Sequence, residues 1–342
     1  MSWSLRLALF LVCPFVIAAE TDTSAHPEPF GIPDWFKTSF LDLSEDNAEA
    51  QSAGKHLLVL FTQDFCPYCK ALIEKNLTQK TIRDSLDRGF DIVHLNMWGD
   101  REVYDINGQP TTEKAIAESL QVQFTPTLIF FDSKGEVALR TNGYISSTEM
   151  LASLEYVATK EYQKTSILEF LKAKPTESAR RSLNQQTFLD QSFANYRKGS
   201  PLALFFEQTD CLDCDQLHEC VLSDPSFPKY AEPFYAVQLD LWSMKSLTLP
   251  SGRSLPINRF AQELKIKYTP TIVLVDAEFN EVIRAEAQLR SFHVESLFEY
   301  VSEEKYLEQP QFQRFIDDRA NRHRAQGRTV SLLGTDARCN SL

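Results

Sequence analysis

The feature that most constrains this chain is an internal repeat in which a pair of cysteines follows an apolar run. Cys66 and Cys69 follow the apolar residues 57–61, and Cys211 and Cys214 follow a second run of the same kind. Cys66 and Cys211 are 145 positions apart. Further residues recur at a spacing of 144 positions: Trp98 and Trp242, Pro126 and Pro270, Tyr162 and Tyr306. Because the spacing changes by only one residue over this length, the sequence predicts a tandem duplication, and the chain should fold as two copies of one domain.

The repeat also sets the domain boundaries. We place the first copy at residues 30–172 and the second at 184–318, with a polar linker at 173–183 and a C-terminal tail at 319–342. A chain of 342 residues, 43% of them hydrophobic, is long enough to bury a core in each copy.

The first 19 residues have the pattern of an export signal. Arg6 lies in a short polar start, residues 7–17 are apolar, and cleavage is expected after Ala19. The apolar core is too short to span a membrane comfortably, although an uncleaved anchor is an alternative. The sequence therefore predicts an exported protein, located in the periplasm if the source is a bacterium.

Charge and cysteine content narrow the function further. A formal net charge of -12 argues against a nucleic-acid partner, because nucleic-acid binders carry a basic face. Six cysteines follow residue 19, too few in a chain of this length for a disulfide-stapled scaffold. Four of the six form the two Cys-x-x-Cys pairs. Cys220 and Cys339 remain, and either a disulfide between them or two free thiols fits the sequence.

The coarse order of elements is the same in both copies. In the first, a strand at 57–61 leads into a helix from Pro67, and a second strand covers 91–96. A Thr-Pro step then precedes a predicted β-hairpin, and an amphipathic helix over 147–159 closes the copy. This order predicts an α/β fold with a central mixed β-sheet flanked by helices.

A Cys-x-x-Cys pair at the start of a helix favours redox chemistry. The unpaired N–H groups and the positive end of the helix dipole favour a thiolate on the first cysteine. We therefore expect Cys66 to attack a disulfide and Cys69 to resolve the mixed disulfide. The alternative is half of a zinc site, but the other pair lies in its own domain, 145 residues away.

Each half resembles a thioredoxin-fold domain. The first half also resembles exported thioredoxin-related proteins, since it carries Phe-Cys-Pro-Tyr-Cys-Lys at 65–70 and Asn-Met-Trp-Gly-Asp-Arg-Glu at 96–102. The resemblance implies thiol-disulfide exchange with protein thiols and no dissociable organic cofactor. The compartment alone implies a further partner, because a reductase in an oxidising compartment needs a membrane-bound dithiol donor. The resemblance also implies cis-prolines that hold the substrate chain, at Thr125-Pro126 and at Thr269-Pro270. Thioredoxins carry a buried acid six residues before the first cysteine, where this chain has Leu60 and Phe205.

The second cysteine pair differs from the first in its surroundings. Several acidic residues lie close to it and should oppose a thiolate on Cys211, which we expect to be the weaker nucleophile: Asp210, Asp213, Asp215 and Glu219. His218 falls on the same helix face as both cysteines. It is most simply a solvated helix residue, but copper or zinc handling through the pairs is an alternative function. A second alternative is a non-catalytic peptide-binding or adaptor protein with static disulfides.

Overall fold

A computed structural model describes residues 30–174, 182–286 and 289–332 of the chain. The predicted signal sequence at 1–19, most of the linker and residues 333–342 of the predicted tail lie outside the described residues. Each half contains a four-stranded sheet with helices on both faces, and the two sheets have the same strand order. The predicted pair of α/β domains with mixed sheets is thereby confirmed.

The first half has short helices around a compact sheet. Its helices are α1 (Leu43–Ser52), α2 (Pro67–Ala71), α3 (Lys80–Gly89), α4 (Glu113–Ser119), α5 (Ser147–Ala158) and α6 (Ile167–Lys172). Its strands are β1 (His56–Thr62), β2 (Phe90–Asn96), β3 (Glu102–Tyr104), β4 (Pro110–Thr112), β5 (Thr127–Phe131) and β6 (Val137–Asn142). Helix α2 continues as one π-helical segment, Leu72–Asn76.

The sheet order β2-β1-β5-β6 follows from the sequence pattern of its strands. Strand β1 is buried along its whole length, as expected of a central strand covered on both faces. It pairs in parallel with β2 and antiparallel with β5, and β5 forms the predicted hairpin with β6. Alternate β1 residues contribute to two cores, one under α2, α3 and α5 and one under α1 and α4.

The second half repeats this architecture. Its helices are α7 (Leu212–Leu217), α8 (Pro228–Ala231), α9 (Ile257–Glu263), α10 (Ser291–Ser302), α11 (Lys305–Glu308) and α12 (Phe312–Ala325). Its strands are β7 (Leu202–Glu207), β8 (Tyr235–Asp240), β9 (Ser246–Thr248), β10 (Ser254–Pro256), β11 (Thr271–Val275) and β12 (Glu281–Ala285). The sheet order is β8-β7-β11-β12, and β7 pairs in parallel with β8.

Two elements differ from the expectations drawn from sequence. The segment after Trp98, which the coarse order of elements does not include, contains a small antiparallel hairpin, β3 with β4, whose connection includes Asn107 and Gly108. Helix α12 continues to Ala325, beyond residue 318, where the sequence suggested that the second copy ends. It extends that far because Arg319 is fully buried and bonded to Glu299 of α10, with Nε to Oε2 at 2.6 Å.

The two halves pack against each other around an approximate two-fold axis. Asn142 donates from Nδ2 to Oε2 of Glu286 at 2.8 Å, and these residues occupy equivalent positions in the two copies. Phe124, two residues before Pro126, packs into a core of the second half. Its counterpart Tyr268 packs into a core of the first half. This reciprocal exchange of aromatic side chains brings both Cys-x-x-Cys regions to the interface between the halves.

No helix in the described part of the chain combines the length and apolar character needed to cross a membrane.

Candidate active site

The first cysteine pair lies where strand β1 delivers the chain to α2. Cys66 is the N-cap of α2, and its Sγ accepts a hydrogen bond from the Cys69 backbone N–H at 3.0 Å. Pro67 occupies the first turn, where a helix tolerates the loss of an N–H. Cys66 and Cys69 form a disulfide in the structure. Because Cys69 is fully buried and Cys66 retains 3% exposure, an incoming sulfur can reach only Cys66.

The predicted substrate-binding dipeptide lies directly against this pair. The Thr125-Pro126 peptide bond is cis, as is Thr269-Pro270 in the second half, which confirms that expectation. Thr125 donates from its hydroxyl to Sγ of Cys66 at 3.4 Å. Once the disulfide is reduced, this hydroxyl and the Cys69 N–H both point at the sulfur and favour the thiolate.

Cys66 opens into a cleft of about 630 Å³. One wall comes from the first half and includes Trp98, Phe124 and Tyr144. The other wall comes from the second half and includes the α12 residues Ile316 and Asn321. Trp98, one of the residues that recur in the repeat, therefore lies at the rim of the candidate active site.

The spacer residue Tyr68 connects this site to the second half. Its buried hydroxyl accepts from the Arg290 backbone N–H at 3.1 Å and donates to the Leu332 carbonyl at 3.3 Å. Nδ1 of His293 lies 3.3 Å from the same oxygen. Burial raises the pKa of Tyr68 well above its ordinary value, so the phenol stays neutral and acts as a hydrogen-bonding anchor.

The second cysteine pair has the same local geometry. Cys211 is the N-cap of α7, accepts from the Cys214 N–H at 3.1 Å, and forms a disulfide with Cys214. Its Sγ lies 3.7 Å from both the carbonyl and the hydroxyl oxygen of Thr269. Each predicted catalytic cysteine pair is therefore found beside its predicted Thr-Pro step.

The second pair differs from the first in its surroundings, and Cys211 is 7% exposed, against 3% for Cys66. The hollow beside α7 and Pro270 has a volume of about 10 Å³, room for roughly one water molecule. In the place of Tyr68, the spacer residue here is Asp213, whose carboxyl hydrogen-bonds that of Glu149 in the first half. Burial, followed by the nearby charge of Asp213, raises the pKa of Glu149 well above its ordinary value. The two carboxyls therefore share a proton across the interface.

A buried acid lies close to the second pair in sequence and was missed in the sequence analysis. Glu207 is fully buried near the end of β7, on the same strand face as Phe205. Its carboxylate accepts from Nε2 of His218 at 2.9 and 3.0 Å, and from Nε2 of Gln238 at 3.0 Å. The thioredoxin-like position six residues before the cysteine is indeed Phe205, so the acid is displaced by two residues along the strand. A glutamate ending an otherwise apolar strand was the available signal.

This arrangement corrects the expectation for His218. The sequence suggested a solvated helix residue, whereas the side chain is buried because it pairs with Glu207. In the first half the same part of the sheet holds a simpler contact, with Thr62 Oγ1 and His94 Nε2 2.7 Å apart. Among the described residues, no group of three or more His, Cys, Asp or Glu side chains could hold a metal ion.

The state of Cys220 is partly defined. Cys220 is disulfide-bonded, and both Cys-x-x-Cys pairs are closed within themselves. The other candidate of the predicted pairing, Cys339, lies outside the described residues, so the Cys220–Cys339 bond stays a prediction.

Each α/β half therefore carries a disulfide-bonded Cys-x-x-Cys pair beside a cis-proline. The Thioredoxin-like domain family matches residues 43–158 and 190–302, more than half of the chain. The chain belongs to this family, in two copies.

The solved structures that the chain is similar to each cover about a third of it. A thioredoxin-fold protein from Helicobacter pylori is 28% identical, covers 35% of this chain and 78% of its own, and has a TM-score of 0.32. A thioredoxin from Thermus thermophilus is 26% identical over 34% of this chain and 83% of its own, with a TM-score of 0.29. A putative disulphide-isomerase from Bacteroides thetaiotaomicron is 22% identical over 38% and 98%, with a TM-score of 0.30. No curated protein sequence matches the chain.

Proposed function

We propose that the protein is a thiol-disulfide oxidoreductase acting on protein disulfides, as a reductase or isomerase, with Cys66 as nucleophile and Cys69 as resolving thiol. The observation that carries the proposal is the geometry at Cys66. Its sulfur receives the Cys69 N–H and the Thr125 hydroxyl, and it opens to a cleft of about 630 Å³ while Cys69 is buried behind it.

The mechanism follows from these contacts. In the reduced protein the Cys66 thiolate attacks one sulfur of a client disulfide, and the other client sulfur leaves as a thiolate. Cys69 then attacks Sγ of Cys66, which releases the client thiol and closes the Cys66–Cys69 disulfide. Two electrons pass from the protein to the client. Thr125 and Pro126 lie beside the attacking sulfur, where they would hold the client chain.

We assign Cys211, Cys214, Thr269 and Pro270 to a second site of the same chemistry. Its support is the matching N-cap geometry and the Thr269 oxygens beside Cys211. Cys66 lines the cleft of about 630 Å³, which makes it the principal contact with clients.

The proposed compartment is an exported one, the periplasm of a bacterium, with a mature chain beginning after Ala19. The apolar core of residues 1–19 supports this placement. A reductase in an oxidising compartment needs reducing equivalents, so we include a membrane-bound dithiol donor among the partners. The amino-terminal sequence of the mature protein tests the cleavage site directly.

The function is tested by trapping. In Cys69→Ser the mixed disulfide cannot be resolved, so clients should accumulate covalently on Cys66 and be released by dithiothreitol. The double variant Cys66→Ser/Cys69→Ser is the control. If Cys69→Ser traps nothing, and both disulfides stay oxidised under mild dithiol treatment, the peptide-binding alternative replaces the enzyme. Metal content after purification under reducing conditions tests the metal alternative.

A further inference from the structure

The second half supplies one wall of the cleft at Cys66. Helix α12 contributes Gln313, Ile316, Asp317, Ala320 and Asn321 to this wall, opposite the aromatic side chains of the first half. The cysteine pair at the cleft therefore belongs to one copy of the repeat and part of its binding surface to the other.

The α12 wall is fixed to both halves. Trp98 Nε1 donates to Gln63, which donates from Nε2 to Oε1 of Gln313 at 3.1 Å. Gln313 in turn donates to the Gln123 carbonyl at 3.2 Å. The guanidinium of Arg314 lies 4.9 Å from the centroid of the Trp98 ring.

On its other side α12 is held by Arg319. The guanidinium bonds Glu299, with Nε to Oε2 at 2.6 Å, and the hydroxyl of Tyr230, with Nη2 to Oη at 2.9 Å. Because both contacts are short and Arg319 is fully buried, the wall is a rigid part of the cleft.

A cleft walled on two sides limits what can reach the sulfur. Cys66 is 3% exposed, so a disulfide on the convex surface of a folded protein meets α12 before it meets Sγ. A volume of about 630 Å³ is in the range of ordinary ligand clefts and accommodates a few residues of chain. The apolar side chains can pack on client side chains, while the exposed Asn321 offers its amide to client peptide groups.

Resting on the proposed function, we propose that α12 makes the Cys66 site selective for cysteines in extended, unfolded polypeptide segments. The client disulfide sulfur enters the cleft, forms a bond with Sγ of Cys66 and loses its former partner as a thiolate. Cys69 then displaces the client sulfur as a thiol. The two electrons come from the Cys66/Cys69 dithiol, which an external dithiol regenerates, dithiothreitol in the assay.

The test compares two disulfide substrates with the same leaving group. A linear peptide and a folded domain each carry one cysteine joined to a chromophoric aryl thiol, and release of the aryl thiolate from the reduced full chain is timed. Wild type should react with the peptide at least about tenfold faster than with the folded domain, because only the extended chain reaches Sγ. Equal rates overturn the inference.

A matched pair of variants locates the effect on α12. Asn321→Trp fills the cleft, whereas Asp318→Trp adds the same bulk to a hollow on another side of the helix. Asn321→Trp should slow the peptide reaction about tenfold relative to the reaction with the symmetric aryl disulfide, and Asp318→Trp should keep the wild-type ratio. An unchanged ratio in Asn321→Trp overturns the inference. If reduced wild type exchanges with no disulfide at all, it is the proposed function that fails.

Discussion

Single residues distinguish two domains that share one fold. Glu207 in the second half occupies the position of Thr62 in the first half. The Glu207 carboxylate is bonded by a buried histidine and an amide, whereas the Thr62 hydroxyl contacts a single histidine. A fully buried carboxylate is tolerated only when hydrogen bonds replace its hydration. His218 and Gln238 provide those bonds, so we regard the three side chains as one polar unit.

Removing the carboxylate should therefore lower the stability of the second half. We expect Glu207→Leu to lower the free energy of unfolding of the second half by about 3 kcal/mol, because His218 loses its bonded acceptor inside the core. Glu207→Leu/His218→Leu should recover part of this loss, since Gln238 still donates to the Asn184 carbonyl at 2.9 Å. Urea titrations of the three proteins measure both effects, and purely additive losses would contradict the idea of one unit.

His293 should make the stability of the folded chain fall at acidic pH. Burial, followed by the charge of Arg319, lowers the pKa of His293 to about 4, from an ordinary value of 6.5. Between these values the unfolded chain binds a proton that the folded chain does not, so stability is complete above about pH 6.5 and falls as the pH drops towards 4.

The expected loss over this interval is about 3 kcal/mol from His293 alone. His293→Gln removes the titrating group, so its unfolding free energy should fall less steeply between about pH 6.5 and pH 4 than that of wild type. Unfolding measured at a series of pH values compares the slopes. Identical slopes in the two proteins would show that His293 does not contribute.

At the scale of elements, α12 has a role beyond closing the second half. It packs on α10 through Arg319 and reaches the first half through Phe312, whose ring centroid lies 5.6 Å from that of Phe124. The corresponding helix of the first half, α6, is shorter, and it places Lys172 over the Trp242 ring at 3.9 Å. The longer α12 is what gives the first cysteine pair a walled cleft.

Two arginines one turn apart on α12 provide a matched comparison. Arg319→Met leaves the carboxylates of Glu295 and Glu299 without their buried partner, and we expect it to lower the free energy of unfolding by about 3 kcal/mol. Arg322→Met removes an exposed contact to the same Glu299, worth about 0.5 kcal/mol. Chemical denaturation followed by circular dichroism measures both variants, and equal losses would contradict an anchoring role for Arg319.

Much of the fold was predictable because local patterns determine it. Three local patterns specify their elements within a few residues: the apolar run in β1, the helix start at Pro67 and the Thr-Pro step before a hairpin. The repeat places the corresponding element in each copy. The sequence analysis ended the second copy at residue 318, within helix α12, because the charged residues after that point give no sign that Arg319 is buried.

The rest of the candidate site could not be predicted because it depends on long-range packing. Tyr68 contacts Arg290 and His293, more than 200 positions away, and nothing local to the Cys-Pro-Tyr-Cys motif indicates a partner. Glu207 was overlooked for a different reason. The expected position of a buried acid was six residues before the cysteine, and the chain places it two residues later on the same strand face.

At the scale of the whole molecule, residues at equivalent positions of the two copies meet at the interface between the halves, but their side chains differ in chemistry. Tyr68 meets His293 on one side of the approximate two-fold axis, and on the other Asp213 meets Glu149, the counterpart of His293. The first contact is neutral and the second shares a proton between two carboxyls. Above about pH 6.5, where His293 is neutral in both the folded and the unfolded chain, the pH dependence of the interface should therefore originate on the side of the second cysteine pair.

Glu149→Gln tests this asymmetry. Because the pKa of Glu149 is raised, the folded chain holds a proton that the unfolded chain releases above about pH 4.5, so wild-type stability falls as the pH rises. Glutamine keeps the hydrogen bond and the cap to Ser146 without the proton. We expect the stability of the variant relative to wild type to be higher at about pH 8 than at about pH 5. The exposed Glu118→Gln is the control, and an equal response in both variants would contradict the shared proton.

The same interface should keep the two cysteine pairs unequal in solution. After reduction of both disulfides, a small maleimide should modify Cys66 faster than Cys211, because Cys66 lines the cleft of about 630 Å³ between the halves and acidic residues lie close to Cys211. Tyr268→Ala withdraws the aromatic side chain that the second half inserts into the first, two residues before Pro270. It should accelerate modification of Cys211 more than that of Cys66.

Mass spectrometry of peptides taken at successive times gives both rates in one experiment. Phe279→Ala, which removes an exposed aromatic side chain elsewhere in the second half, controls for the loss of a ring. The acidic residues around Cys211 are unchanged in Tyr268→Ala, so a faster Cys211 in that variant reports access rather than the intrinsic reactivity of the thiol. If Cys211 is modified as fast as Cys66 in wild type, neither the cleft at Cys66 nor the acidic residues near Cys211 determine which thiol reacts first.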